Sequence, residues 1–210
     1  MEREILATSR ILIADDQDAN VLFLERLLQH AGYKNYLSLT DSRELLTQFR
    51  IFQPDLLLLD LMMPKLDGYA VLKQLAGWLP AGAYFPILVI TADTTKVARQ
   101  KALALGAKDF LTKPIDAAEA TLRIHNLLVT RWLYRQMDLR RRRCMEQAEE
   151  SRSRIAAALR EVENLAAAGP VLPEHWNGLR SALGLASQAM ANIANDEDAI
   201  PAACAVEQAV

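Results

Sequence analysis

The sequence predicts an α/β protein: a doubly wound, five-stranded parallel sheet followed by an all-α C-terminal extension. Three observations carry this. Through the first 130 residues, short apolar runs alternate with helix-period patterns, the order of a βα-repeated chain. One of those runs, the four leucines 56–59, lies between Pro54 and a loop ending at Pro64, the pattern of a strand buried on both faces. From residue 117 to residue 168 neither Pro nor Gly interrupts a charged stretch, as a long helix requires.

Each element has its own signal. Ile11, Leu12 and Ile13 make the first strand, and residues 20–31 follow as a helix closed by Gly32. Residues 36–39 are the second strand, with Asp41 or Ser42 as N-cap of a helix that runs to Phe52. Residues 56–59 are the third strand, and residues 68–76 the helix after it. A loop with Pro80, Gly82 and Pro86 leads to the fourth strand, 87–90; residues 95–105 are the next helix, stopped by Gly106. Residues 110–112 are the fifth strand, and Pro114 starts the last helix. Residues 1–9 read as an N-terminal tail ahead of a domain spanning 10–130.

Composition excludes several classes. With 24 Lys plus Arg against 26 Asp plus Glu, the net charge of -2 does not suit a wholesale nucleic-acid binder. The N-terminus lacks the apolar run of a signal peptide, and no stretch approaches the roughly 20 apolar residues that span a membrane, so the expected location is the cytoplasm, with no membrane contact. Cys144 and Cys204 lack metal-ligand spacing and read as reduced thiols.

The polar residues then fall into a pattern. Asp15 and Asp16 follow the first strand, Asp60 the third, Thr91 ends the fourth and Lys113 the fifth, all at carboxyl strand ends, where open α/β sheets place their chemistry. Singly, each has a plainer reading: the aspartates as helix caps, Thr91 as a β-branched strand residue, Lys113 as a solvated lysine before Pro114. Capping does not account for three carboxylates, a hydroxyl and one lysine gathered at a single sheet edge.

In ILIADD with Asn20 downstream, LLLLDLMMPKLDG, VITA and DFLTKP, the chain resembles the receiver domain of bacterial two-component response regulators over roughly residues 10–130. The resemblance implies a flavodoxin-like sheet of strand order 2-1-3-4-5, with Asp60 accepting a phosphoryl group from a sensor histidine kinase or phosphotransfer protein. A carboxylate serves as nucleophile toward phosphorus when the charge developing in the transition state is neutralised. Clustered carboxylates suit a hard cation such as Mg²⁺. By the same resemblance, Asp16, Asp60 and the backbone carbonyl of Met62 ligate the ion, Asp15 assists through water, and Lys113 meets a phosphoryl oxygen. Thr91 gives the phosphoryl group a hydroxyl, and the small Ala92 leaves room for the donor. Phe110 matches the aromatic that swings inward when the threonine moves; its plainer reading is ordinary core packing, and the two roles are compatible. The readout would be the face made by the fourth helix, fifth strand and fifth helix, biased by a covalent phosphate.

An aspartate-dependent phosphohydrolase of the haloacid-dehalogenase type is the rival from another class. It needs a second aspartate two residues after the nucleophile, and that position is Met62.

Beyond the receiver, residues 131–168 extend the last helix; residues 117–168 alone would make roughly 75 Å of helix. Leu127, Tyr134, Met137, Cys144, Ala148, Ile155, Ala158, Val162 and Leu165 fall near the a and d positions of one heptad frame, with Arg141 at an a position, so a coiled-coil homodimer is expected. The run Arg140, Arg141, Arg142, Arg143, near Arg131 and Arg135, reads as a solvated face before a phosphate-binding collar. Residues 174–195 read as a second amphipathic helix on Trp176, Leu179, Leu183, Ala186, Met190 and Ile193, with a downstream protein partner expected and residues 196–210 as a flexible tail. The alternative is a DNA-binding regulator whose helix-turn-helix turns at Gly184 and buries Leu185. His175 reads as a solvated histidine.

Overall fold

A computed structural model describes residues 2–80 and 82–167 and, further on, residues 178, 180, 181 and 183–188. The chain divides into two compact units, Met1–Gln136 and Met137–Val210.

The first unit runs α1 (Glu2–Thr8), β1 (Arg10–Ala14), α2 (Asp18–His30), β2 (Asn35–Leu39), a 3-10 turn (Ser42–Glu44), α3 (Leu45–Phe52), β3 (Leu56–Asp60), α4 (Gly68–Trp78), β4 (Ile87–Thr91), α5 (Lys96–Ala104), β5 (Asp109–Thr112) and the start of α6 (Ala117–Ala167). The sheet is parallel throughout, in the order β2-β1-β3-β4-β5. This is the expected doubly wound topology.

Strand periodicity splits the leucine run between two cores. Leu56 and Leu58 face the layer that holds Leu24 and Leu28 of α2 and Ile124 and Leu128 of α6. Leu57 and Leu59 face the other layer, with Leu45 of α3, Val71 and Leu72 of α4 and Ala102 of α5. All four leucines are at most 1% exposed, and each contributes about 1.5–3 kcal/mol on burial, so the strand that ends in Asp60 is anchored on both sides. Gly106, at φ +105°, supplies the left-handed residue that ends α5, in agreement with the expected stop.

Two expectations are corrected. Residues 2–8 are not a tail but a helix: Ile5 is fully buried, and Ile5 and Leu6 pack into the α2/α6 layer. The last helix starts at Ala117 rather than Pro114, because the Asp116 carboxylate accepts the Glu119 N–H and so sets the helix start. Elsewhere the bounds move by one or two residues; Asp41 is the cap the 3-10 turn uses, accepting from the Arg43 N–H.

In the second unit, α6 continues unbroken to Ala167. From residue 144 to 162 the positions less exposed than their neighbours are Cys144, Ala148, Ser151, Ile155, Ala158 and Val162, spaced alternately by four and three. Five of these are positions of the anticipated frame, with a polar Ser151 among them, whereas its earlier members Tyr134 and Met137 are 47% and 60% exposed and Leu127 lies in the α2/α6 core. Residues 183–188 are helical through Gly184, and Leu185 is 55% exposed, whereas a turn at Gly184 would have buried it. Leu183, placed inward by the amphipathic reading, is also exposed, at 56%. His175, Trp176, Leu179, Met190, Ile193, Cys204, the Leu165 side chain and residues 196–210 lie outside the described residues. Among the described residues no helix is long and apolar enough to cross a membrane.

Candidate functional site

The carboxyl ends of β1, β3, β4 and β5 meet at one edge, and the polar residues they carry converge there. Adjacent β1 and β3 bring Asp15 and Asp60 side by side, 2% and 3% exposed. β4 carries Thr91, fully buried, and Lys113 follows β5, its backbone N–H donating 2.9 Å to the Thr91 carbonyl. Lys113 Nζ reaches across the edge, 2.8 Å from Asp15 Oδ2 and 2.7 Å from Asp60 Oδ2. Burial works against the ammonium, but its hydrogen bonds to Asp15 and Asp60 outweigh this and hold the Lys113 pKa above that of a free lysine.

Each carboxylate is oriented from its own loop. Asp15 Oδ1 accepts from the Gln17 N–H at 3.0 Å and from Asn20 Nδ2 at 2.9 Å, which makes Asn20 a positioning residue on the first turn of α2. Asp60 Oδ1 accepts from the Met62 N–H at 3.1 Å, leaving Oδ2 to Lys113. Asp16 is different. Its Oδ1 is buried and has no hydrogen-bond partner among the described residues, and one oxygen from each of Asp15, Asp16 and Asp60 lies within 4.8 Å of the others. Three carboxylates facing one ammonium leave excess negative charge, and an orphaned carboxylate oxygen among them suits a hard divalent cation.

The remaining predicted residues divide. The Thr91 hydroxyl accepts from the Asp93 N–H at 3.3 Å, which fixes the β4–α5 turn, and Ala92 is exposed beside it. Phe110 is not in the polar cluster: at 5% exposure it belongs to the α3/α4/α5 core. The Met62 side chain is 65% exposed, so only its backbone turns toward Asp60.

Two residues escaped the sequence reading. Gly68 opens α4 directly against the β3 end: a Cβ there would lie 2.6 Å from the Asp60 carbonyl oxygen and 2.7 Å from Leu61 Cα. Its N–H also donates to the Leu61 carbonyl at 3.1 Å. Ser42, 3% exposed, donates to the Pro64 carbonyl at 2.8 Å and accepts from the Leu66 N–H at 3.1 Å, pinning the loop that carries Met62. The glycine after Asp67 was a visible signal. A serine acting 22 residues away left none.

Comparison with known proteins agrees with this fold. The family model of the response regulator receiver domain matches residues 11–125. The alkaline phosphatase synthesis transcriptional regulatory protein PhoP of Bacillus subtilis is 37% identical over 119 residues, 57% of this chain and 48% of PhoP. The response regulator PleD of Caulobacter vibrioides is 38% identical over 120 residues, 57% of this chain and 26% of PleD. The chain thus spans about half the length of the first relative and about a quarter of the second. Among solved structures, a response regulator signal receiver domain from Bermanella marisrubri is similar at 34% identity and TM-score 0.51, covering 57% of this chain and 97% of that one. The chemotaxis protein CheY4 of Vibrio cholerae is similar at 25% identity and TM-score 0.52, covering 57% and 98%.

Proposed function

The chain belongs to the response regulator receiver family of two-component systems, and from that premise we propose that Asp60 is its phosphoacceptor. The single observation that carries the reading is the Asp60 side chain itself: buried, oriented by the Met62 N–H and in contact with the one ammonium of an acidic cluster. A carboxylate oxygen of Asp60 attacks phosphorus as the P–N bond of a partner's phosphohistidine breaks. The electron pair leaves with the imidazole, which takes up a proton, and Asp60 becomes an acyl phosphate. Lys113, beside Oδ2, offers a compact positive charge to a phosphoryl oxygen, and Thr91 offers a hydroxyl. Asp15, Asp16, Asp60 and the Met62 carbonyl are the groups that would hold Mg²⁺, which when bound neutralises phosphoryl charge. The partner is a sensor histidine kinase or a phosphotransfer protein.

A phosphohydrolase finds no support, since the position of its general acid is the apolar, exposed Met62. For the output we favour a protein-directed homodimer through α6 over DNA binding, supported by the heptad spacing of Cys144, Ala148, Ile155, Ala158 and Val162 in the sequence. Beryllofluoride, a phosphoryl mimic, tests the acceptor without a kinase. The wild type should bind it in a Mg²⁺-dependent way, and Asp60→Asn should not, while unfolding at a similar temperature. Equal binding by the variant would remove Asp60 from the role.

A further inference from the structure

The opposite, amino-terminal edge of the sheet holds a second concave site. A cleft of about 690 Å³ opens there between Arg10 at the start of β1, Asp55 just before β3, the ends of α3 and α4, and α6. Its volume is that of a small-molecule site. Four guanidinium groups line it, from Arg10, Arg50, Arg131 and Arg135, against the single carboxylate of Asp55.

That carboxylate is already engaged. Asp55 Oδ1 accepts from Arg135 Nη1 at 2.8 Å and lies 3.9 Å from Arg131 Nε, and Oδ2 accepts from the Arg10 N–H at 3.1 Å. Among the described residues neither Arg10 nor Arg50 has a carboxylate in ion-pair range, so the cleft carries surplus positive charge. Its wall is aromatic. The Arg50 guanidinium lies 4.0 Å over the ring of Trp78, itself 40% exposed, and Phe85 forms an edge-to-face pair with Phe49 at 5.1 Å.

Guanidinium forks select phosphate and carboxylate geometry, and an arginine stacked on an indole is the arrangement that also receives a planar ring. We propose that this cleft binds a phosphorylated ring compound of the nucleotide class, at the end of the sheet remote from Asp60. The phosphate meets Arg50 and Arg135, and the ring lies along Trp78. Because Arg135 also holds Asp55, an anion at this site competes for the contact that fastens α6 to the start of β3. The cleft is therefore an input separate from phosphorylation, and it stands whether or not Asp60 is the acceptor.

Calorimetric titration of the full chain with guanosine monophosphate, guanosine and inorganic phosphate, without Mg²⁺, tests this. Guanosine monophosphate should bind, with guanosine and inorganic phosphate each weaker by about tenfold or more, because one lacks the charge and the other the ring. Arg50→Gln and Trp78→Leu, both at exposed positions, should each weaken the nucleotide by about tenfold, and Asp60→Asn should leave it unchanged. Failure of the wild type to bind guanosine monophosphate, equal affinity for guanosine, or unchanged affinity in Arg50→Gln would overturn the proposal. Loss of binding in Asp60→Asn would do so too, by moving the ligand to the acidic edge.

Discussion

Tyr33 is 3% exposed, and its hydroxyl has no hydrogen-bond partner among the described residues. Burial, reinforced by the negative charge of Glu2, raises its pKa to about 12 from the ordinary 10.0. The folded state therefore keeps the phenol proton where the unfolded chain gives it up. Stability from this residue is fully present below about pH 10 and is lost as pH rises toward about 12, by at most about 3 kcal/mol. Tyr33→Phe removes an unsatisfied buried hydroxyl, so at pH 7 it should be neutral or stabilising by up to about 1 kcal/mol. Urea unfolding of both proteins from pH 7 to pH 11 checks this: the wild type should lose stability above pH 10 more steeply than Tyr33→Phe. Parallel curves would mean that the phenol ionises without cost.

At the scale of elements, the β3–α4 connection is tightly constrained. Gly68 has no room for a side chain against the Asp60 carbonyl and Leu61, and both obstacles are backbone. Gly68→Ala should destabilise by about 1–3 kcal/mol and weaken beryllofluoride binding, because the turn that orients Asp60 has to shift. Unaltered melting and binding would show that the loop yields freely. The same scale explains what was legible. Strands β1, β3 and β4, buried almost throughout, leave unbroken apolar runs, and the edge strands β2 and β5 leave shorter ones between turn residues, so all five were visible, and with them the sheet edge that gathers Asp15, Asp60, Thr91 and Lys113. Helix α1 was missed because a seven-residue helix that fully buries only Ile5 has no period to read. The start of α6 was placed at Pro114, a common first helical residue, when the operative signal was the Asp116 cap. Ser42 and the cleft around Asp55 stayed invisible because they depend on contacts between residues far apart in sequence, such as Asp55 with Arg135.

At the scale of the whole molecule, α6 is a single helix with bounds Ala117–Ala167, and the proposed dimeric output predicts that a phosphoryl mimic changes the oligomeric state. Sedimentation of the full chain with and without beryllofluoride and Mg²⁺ should show a shift toward dimer on addition of the mimic. An unchanged monomer in both conditions would remove the dimeric output. Phosphoryl transfer to Asp60 leaves a covalent mark that can be read chemically. After incubation with a phosphohistidine donor and Mg²⁺, borohydride reduction of the acyl phosphate and peptide mass spectrometry should place the modification on Asp60 in the wild type and find none in Asp60→Asn. A label on another residue, or one that persists in Asp60→Asn at the wild-type rate, would show that Asp60 is not the acceptor.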